Sequence, residues 1–440
     1  MNSEDILNRV EDFTAEQLFE FINQEIVSLD ELRTTGNLDA SKRKAITTLQ
    51  NEYKHVDDGA WKNYRHTEEG CRTYLTEFPT GIHASEAKQK LENYAEESRK
   101  RETEKIEILE KLRTNKNSFS ADDIQGYLGN GTLSRNDLLH VGIPEGVIDR
   151  LNNIVLPQLR MGKTPDSIPD GYTEVYFWGI PGSGKTCALS AVLSTANTKG
   201  YLEFAQGPGF KYMTGLKNIF ANSTAILPPP SPVDSTQYLP FVLRKGNEDP
   251  RSVSLIELSG EIFQCFFHKN AGDNLPTPEH EATLDSLLRF LDGDNRKIHF
   301  FFVDYEKKNN LDVDGYTQAD YLQAAAIYFK DNNIFSKSTD AIYIVVTKSD
   351  LMPSIDKNKV NDINVYLQNA NFTSFINSLK VRCKENSINS GKILGTHFSL
   401  GEVYFDQICS FDSETSENII DILIRRIAPN KKSILDVFNK

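Results

Sequence analysis

The sequence predicts an α/β domain, a mostly parallel six-stranded sheet with helices on both faces, preceded by an all-α region. Three observations predict it. From about residue 172 onward, short apolar runs bounded by turn residues alternate with stretches of helical periodicity, as in a parallel sheet with crossover helices. Before about residue 155 such runs are missing and apolar residues recur at helical spacing. Between the two lies "RMGKTPDSIPDGY", rich in Pro, Gly and Asp, which suits a boundary. The expected division is a helical region over 1–155 and an α/β domain over 172–440.

The helical region contains a duplication. "FTAEQLFEFINQEIVSLDELRTTG" from Phe13 and "FSADDIQGYLGNGTLSRNDLLHVG" from Phe119 align without a gap, pairing Leu18 with Ile124, Leu32 with Leu138 and Gly36 with Gly142. Each copy, about 13–45 and 119–151, reads as helix, turn, then a helix capped by Ser-x-x-[Glu/Asp]. Between them, about 60–95, the chain resembles one tetratricopeptide-like unit of bacterial multidomain proteins. Tyr74, Leu75, Phe78, Pro79, Gly81, His83, Ala84 and Ala87 carry that resemblance. A single unit cannot stack into a solenoid, and the charged stretch from Glu96 reads as a solvated linking helix. The resemblance implies an interaction region for a protein partner that the sequence does not name.

In the α/β domain the expected strands are 175–178, 239–244, 253–258, 298–304, 342–347 and 393–398. The second and third read as a hairpin turning at 246–250, the one antiparallel pair. "TCALSAVLSTANT", "QADYLQAAAIYFKDN" and "VYLQNANFTSFINSLKVRCKEN" are the helices expected between strands. Residues 199–233, with "LPPPSP", form a long insertion before the hairpin.

Composition excludes several classes. With 39% hydrophobic and 25% charged residues the chain has an ordinary soluble balance. No run approaches the roughly 18 to 20 apolar residues of a transmembrane segment. "MNSEDILNRVEDF" lacks the basic and apolar regions of a signal peptide, so a cytoplasmic location is expected. Cys71, Cys187, Cys265, Cys383 and Cys409 lie far apart with no CxxC pair, against a disulfide framework or zinc site. A formal net charge of −13 argues against broad nucleic-acid binding.

"FWGIPGSGKT" (177–186) fits G-x-x-x-x-G-K-[ST], a phosphate cradle, with an apolar strand before it and a helix after it. Gly179, Gly182 and Gly184 let backbone N–H groups close around phosphate oxygens, and Ile180, Pro181 and Ser183 complete the loop. Lys185 is placed to reach the β- and γ-phosphates, the Thr186 hydroxyl to hold Mg²⁺, and Cys187 completes the nucleotide-contacting stretch. The helix N-terminus adds favourable partial charge for an anion.

Downstream, "AIYIVVTKSD" is an apolar strand ending in Thr347, Lys348, Ser349 and Asp350. Together with the cradle, this resembles the translation-factor and Ras-like class of P-loop GTPases, whose guanine motif is [Asn/Thr]-Lys-x-Asp. The resemblance implies a Ras-like domain in which Asp350 accepts two hydrogen bonds from guanine, Lys348 lies over the base and Thr347 braces the phosphate loop. A site built to pair such donors rejects an analogue lacking them by roughly 10⁴ or more, because the carboxylate is left unpaired.

The resemblance extends to "SLIELSGEIF", where the family has Asp-x-x-Gly and this chain has Glu257, Leu258, Ser259 and Gly260. It implies Glu257 on the metal side, Gly260 as the γ-phosphate contact, and Glu261 where many members carry a water-orienting glutamine. Ser235 and Thr236 in "PVDSTQYL" are the candidates for the threonine that closes over Mg²⁺, with Thr236 preferred. Ser399 and Leu400, followed by Gly401, stand where the family's last base-contacting loop falls. The implied set is catalytic Lys185, Gly260 and Glu261; metal-side Thr186, Thr236 and Glu257; cofactors Mg²⁺ and GTP or GDP.

The reaction then expected is slow GTP hydrolysis by a molecular switch, in the manner of bacterial signalling or conflict systems, with a nucleotide-dependent homodimer left open. Two alternatives stand beside it. "IHFFFVDYE" ends an apolar strand in Asp304, as in the metal-binding strand of ATPases of the STAND or AAA type. A non-hydrolysing adaptor with structural nucleotide is the other, kept open by Glu at 257 and by the missing glutamine after Gly260.

Overall fold

The computed structural model describes residues 2–34, 38–159, 165–207, 209–229, 236–307, 310–312, 315–335, 338–352, 363, 365–368 and 370–427. Gly36 and Ser235 lie outside the described residues. The chain forms two compact units, Met1–Glu110 and Lys111–Lys440, so the second helical module shares a unit with the sheet rather than with its first copy. Among the described residues no helix is long and apolar enough to cross a membrane.

The first unit is helical: α1 (Ser3–Leu7), α2 (Ala15–Asn23), α3 (Leu29–Thr34), α4 (Ala40–Tyr64), α5 (Glu68–Glu77) and α6 (Ala84–Thr114), whose last residues belong to the second unit. Thr14 and Gln17 form a capping box that starts α2, and Ser28 with Glu31 caps α3 in the same reciprocal way. Leu18, Val27, Leu32 and Ile46 bury one core. Trp61, Cys71, Tyr74, Phe78, Ala84 and Ala87 bury a second, built from the tetratricopeptide-like residues. There Asp57, fully buried, accepts from the Tyr74 hydroxyl and from the Ile82 N–H at 2.7 Å. The charged stretch from Glu96 continues α6 without a break.

The second unit begins with α7 (Ala121–Gly129), α8 (Arg135–His140) and α9 (Glu145–Leu151), where Ser120–Asp123 and Ser134–Asp137 form the two capping boxes. Then follow β1 (Thr173–Trp178), α10 (Lys185–Thr198), β2 (Leu202–Phe204), α11 (Phe210–Ile219), β3 (Thr224–Ile226), β4 (Gln237–Leu243), β5 (Arg251–Glu257), α12 (Ile262–Ala271) and α13 (Pro278–Asp292). The chain continues through β6 (Arg296–Asp304), α14 (Gln318–Asp331), β7 (Thr339–Thr347), α15 (Ala370–Glu385), β8 (Leu394–Phe398), β9 (Gly401–Tyr404), β10 (Ile408–Phe411) and α16 (Glu414–Arg426).

All six expected strands are present, but the main sheet has seven, in the order β2-β4-β5-β1-β6-β7-β8. The extra strand, β2, lies in the insertion and pairs antiparallel on the edge with β4; β4 and β5 form the expected hairpin, and the remaining pairs are parallel. A second sheet, β3-β10-β9, was not expected; α9 packs against its β3 and β10. The alternation of side chains divides the core. Val175, Phe177, Phe300 and Val345 face α10, α11 and α16, whereas Tyr176, Trp178, Phe301 and Ile344 face α12 to α15. Buried His299 accepts from the Trp178 indole at 3.0 Å, and burial holds its pKa far below the usual value, so it serves the core as a neutral ring.

This order sets the site. The chain leaves β1 toward β4 and β5 and then crosses to β6 on the other side, and in open α/β sheets such a switch point opens a crevice at the carboxyl ends of the strands. Parallel registers bring Phe177 beside Glu257, Asp304 beside Thr347, and Thr347 beside Phe398 at that edge.

Candidate functional site

The strand β1 is buried throughout and ends at Trp178, so the chain must turn at the sheet edge. A Cβ on Gly179 would lie 2.5 Å from the Ser183 Oγ and 2.8 Å from the Phe302 carbonyl oxygen, so only glycine fits. Gly184, at φ 83°, caps α10 in the left-handed region, and the helix starts directly with Lys185. The Lys185 ammonium is buried and donates to the carbonyls of Gly179 and Ile180 at 2.6 and 2.9 Å. Burial lowers its pKa to about 8, against the opposing pull of Glu257. The buried Ser183 hydroxyl has no partner among the described residues.

At the start of α10, the Thr186 hydroxyl donates to Glu257, whose other carboxylate oxygen accepts from the Tyr212 hydroxyl at 2.7 Å. Glu257 ends β5 and is buried. Gln237 stands opposite it in the hairpin register, and Thr236, also buried, comes just ahead of β4. Gly260 packs on the phosphate loop: a Cβ there would lie 2.7 Å from the Ile180 carbonyl carbon and would also strike the Pro181 nitrogen. Glu261 is partly exposed, and its N–H donates to the Ser259 hydroxyl at 3.3 Å. Cys187 is partly buried, and burial pushes its thiol up to about 12, which makes it inert.

On the other side of β1, the Thr347 hydroxyl donates to the Ser183 carbonyl at 3.0 Å and so fastens the end of β7 to the phosphate loop. Lys348 adopts φ 53°, left-handed for a non-glycine residue, and its ammonium lies 3.1 Å from fully buried Asp304 and 2.5 Å from Glu306. Burial opposes its charge, but the hydrogen bond to Glu306 and the Asp304 charge outweigh it and raise its pKa. The Ser399 hydroxyl donates to the exposed Asp350 carboxylate at 2.7 Å and accepts from the Gly401 N–H at 3.1 Å. Ser349 is buried and bonds the His397 ring at 3.1 Å. The Leu400 carbonyl accepts from the Asp412 N–H at 2.8 Å, tying that loop to the start of α16.

Every described candidate residue therefore lies along one edge of one sheet. One side chain was missed by sequence reasoning and the partner of another was not foreseen. Tyr212 sits in the insertion at an apolar helical position and carries no signal of its link to Glu257. Asp304, weighed in the sequence as the metal-side carboxylate of an alternative ATPase, is tied to Lys348 and accepts from the Glu306 N–H at 2.9 Å.

The donor set suits Mg²⁺ shared with phosphates. A hydroxyl and a carboxylate, hard oxygens, stand together beside a loop that side chains at 179 and 260 would block and that holds an orphan hydroxyl at Ser183. Among the described residues no three His, Cys, Asp or Glu side chains group as a cage, and a cation bound through phosphates needs only one or two protein ligands.

No protein-family model and no curated protein matches the sequence. Among solved structures the chain is similar to the S. cerevisiae Ski7 GTPase-like domain bound to GTP, at 14% identity and a TM-score of 0.30. The match covers 60% of this chain and 52%, about half, of that one.

Proposed function

We propose that the sheet-bearing unit binds GTP with Mg²⁺ and hydrolyses it to GDP and phosphate, as a switch read by the helical modules and their protein partner. The observation that carries this reading is the hydrogen bond from Thr347 to Ser183, which joins Thr-Lys-x-Asp to the phosphate loop. It sets one spacing between a phosphate cradle and a carboxylate, Asp350, that Ser399 orients. Asp350 would accept from the guanine edge, and the Lys348 stem, held by Asp304, would cover the base.

Thr186 and Glu257 would hold Mg²⁺, with Thr236 closing from the hairpin; when bound, the ion would offset charge on the phosphate oxygens. Gly260 would present its N–H to the γ-phosphate because its backbone already lies on Ile180 and Pro181. Water would attack the γ-phosphorus, the new O–P bond forming as the bond to the β-phosphate oxygen breaks, GDP leaving with its electron pair and the water's proton passing to the released phosphate or to solvent. Glu261 would orient that water. Catalysis in this scheme is positioning and charge stabilisation. An ATPase using Asp304 on the metal side is disfavoured, because Asp304 binds Lys348, whereas the carboxylate meeting Thr186 is Glu257.

The test is equilibrium binding of slowly hydrolysed GTP and ATP analogues with Mg²⁺, on wild type and Asp350→Asn. The expected result is a strong guanine preference that the variant loses or shifts toward a xanthine nucleotide. Equal ATP binding that ignores Asp350 would overturn the reading, and tight GTP binding without phosphate release would leave a non-hydrolysing adaptor.

A further inference from the structure

Lys307 lies just beyond the end of β6, and its ammonium donates to the Pro181 carbonyl at 3.3 Å. A Cβ placed on Gly182 would lie 2.8 Å from that nitrogen, so the charge sits on the outer rim of the phosphate loop. Three consecutive loop carbonyls thus accept from lysines: Gly179 and Ile180 from Lys185 within, and Pro181 from Lys307 outside. Lys307 also lines a cavity of about 620 Å³ with Ile180, Pro181, Gly260 and Glu261. The rim it occupies is therefore the stretch against which Gly260 packs.

The two lysines on the β6 side of the loop are held differently. Lys348 is tied by two carboxylates. Lys307 is partly exposed, and among the described residues no carboxylate pairs with it; a carbonyl satisfies a donor but leaves its charge uncompensated. An ammonium beside a phosphate cradle, with one neutral partner it can keep or release, suits a second anion at the end of the phosphate chain.

We propose that Lys307 contacts the terminal phosphate of the bound nucleoside triphosphate, a cation supplied in cis where many phosphoryl-transfer sites take one from a partner. This rests on the nucleotide site proposed above. Lys307 would distinguish triphosphate from diphosphate and stabilise charge on the departing phosphoryl group, so hydrolysis would not require a second copy of the chain to donate an arginine.

The test uses the full chain as Lys307→Gln, Lys307→Ala and Lys307→Arg. Dissociation constants are measured for a slowly hydrolysed GTP analogue and for GDP, with single-turnover hydrolysis alongside. For the Gln and Ala variants the analogue is expected to weaken about 10- to 100-fold and GDP less than about threefold. Hydrolysis should fall about a hundredfold. Lys307→Arg should hold both affinities within about threefold. If Lys307 only pins Pro181, analogue and GDP affinities fall together, and that result overturns the proposal while the GTP site stands. Wild-type binding of ATP instead moves the same comparison to an ATP analogue and ADP. Wild type that binds neither nucleotide overturns both readings.

Discussion

Replacing Asp304 by Asn separates the roles of the two buried carboxylates at the sheet edge. Asp304 is fully buried and 3.1 Å from the Lys348 ammonium; the other partner, Glu306, lies at 2.5 Å but is 58% exposed. Solvent screens the exposed Glu306 pair to at most about 1 kcal/mol, whereas the charge on fully buried Asp304 is screened far less. Asp304 is thus the stronger tether. It also holds Lys348 at φ 53°, a conformation that costs a non-glycine residue about 1 kcal/mol. Asparagine can still accept from the Glu306 N–H, and the two bonds between the Asp304 backbone and the Gln318 side-chain amide are untouched, so folding stability should stay within about 1 kcal/mol of wild type. The loss falls on the ordering of Lys348 over the base, about 1.4 kcal/mol or tenfold in affinity. GTP analogue and GDP share the base, so both should weaken alike while the Mg²⁺ concentration needed for binding stays unchanged. Glu257→Gln should do the reverse and raise that concentration. The assay is nucleotide binding across a Mg²⁺ titration. A changed Mg²⁺ requirement in the Asp304 variant, with GDP binding spared, would refute the reasoning and return Asp304 to the metal side.

Gly260→Ala forces a Cβ to within 2.7 Å of Ile180 and Pro181 backbone atoms that cannot rotate away, so it should cost about 1–3 kcal/mol and weaken the GTP analogue more than GDP; wild-type affinities for both would contradict this. Tyr74→Phe removes one donor from the buried Asp57 carboxylate and an acceptor from the His83 N–H. The expected loss is about 2 kcal/mol, confined to the urea transition reported by Trp61 and absent from that of Trp178. Burial pushes Cys265 and Cys383 up to about 11 and Cys409 up to about 12 from an ordinary value of 9.0. These thiols are protonated more readily in the folded state, so their contribution is complete below about pH 9 and is lost as pH rises through about 11. Urea midpoints should therefore fall between about pH 8.5 and 10.5, and rapid reaction of the native thiols with a disulfide reagent at about pH 8 would contradict the burial.

The elements legible in the sequence are those whose signal is local. Among the six expected strands, β1, β6 and β7 hold four or more contiguous apolar residues, at 175–178, 300–303 and 341–346, and are covered on both faces, which makes their runs nearly continuous. The capping boxes at Thr14, Ser120 and Ser134 follow from four-residue patterns. The phosphate loop is likewise a single turn. β2 and β3, at three residues each, and β9 and β10, at four, are too short to show a period, so the seventh strand and the second sheet were missed.

Site contacts made between distant segments follow another rule. Tyr212 and Glu257 are 45 positions apart, Ser399 and Asp350 49, and no spacing rule joins them. Asp304 and Lys348 differ in kind. Once β6 and β7 are known to be parallel neighbours with Asp304 beside Thr347, the residue after Thr347 must emerge beside Asp304, and a lysine next to a buried carboxylate will pair with it. The missing information was strand order and register, because both residue types were in view. The competing metal-side role for Asp304 drew its strength from a strand end considered without its neighbour. With β7 in place, Asp304 carries a charge that Lys348 compensates, and Glu257 is the carboxylate beside the phosphate-loop hydroxyl.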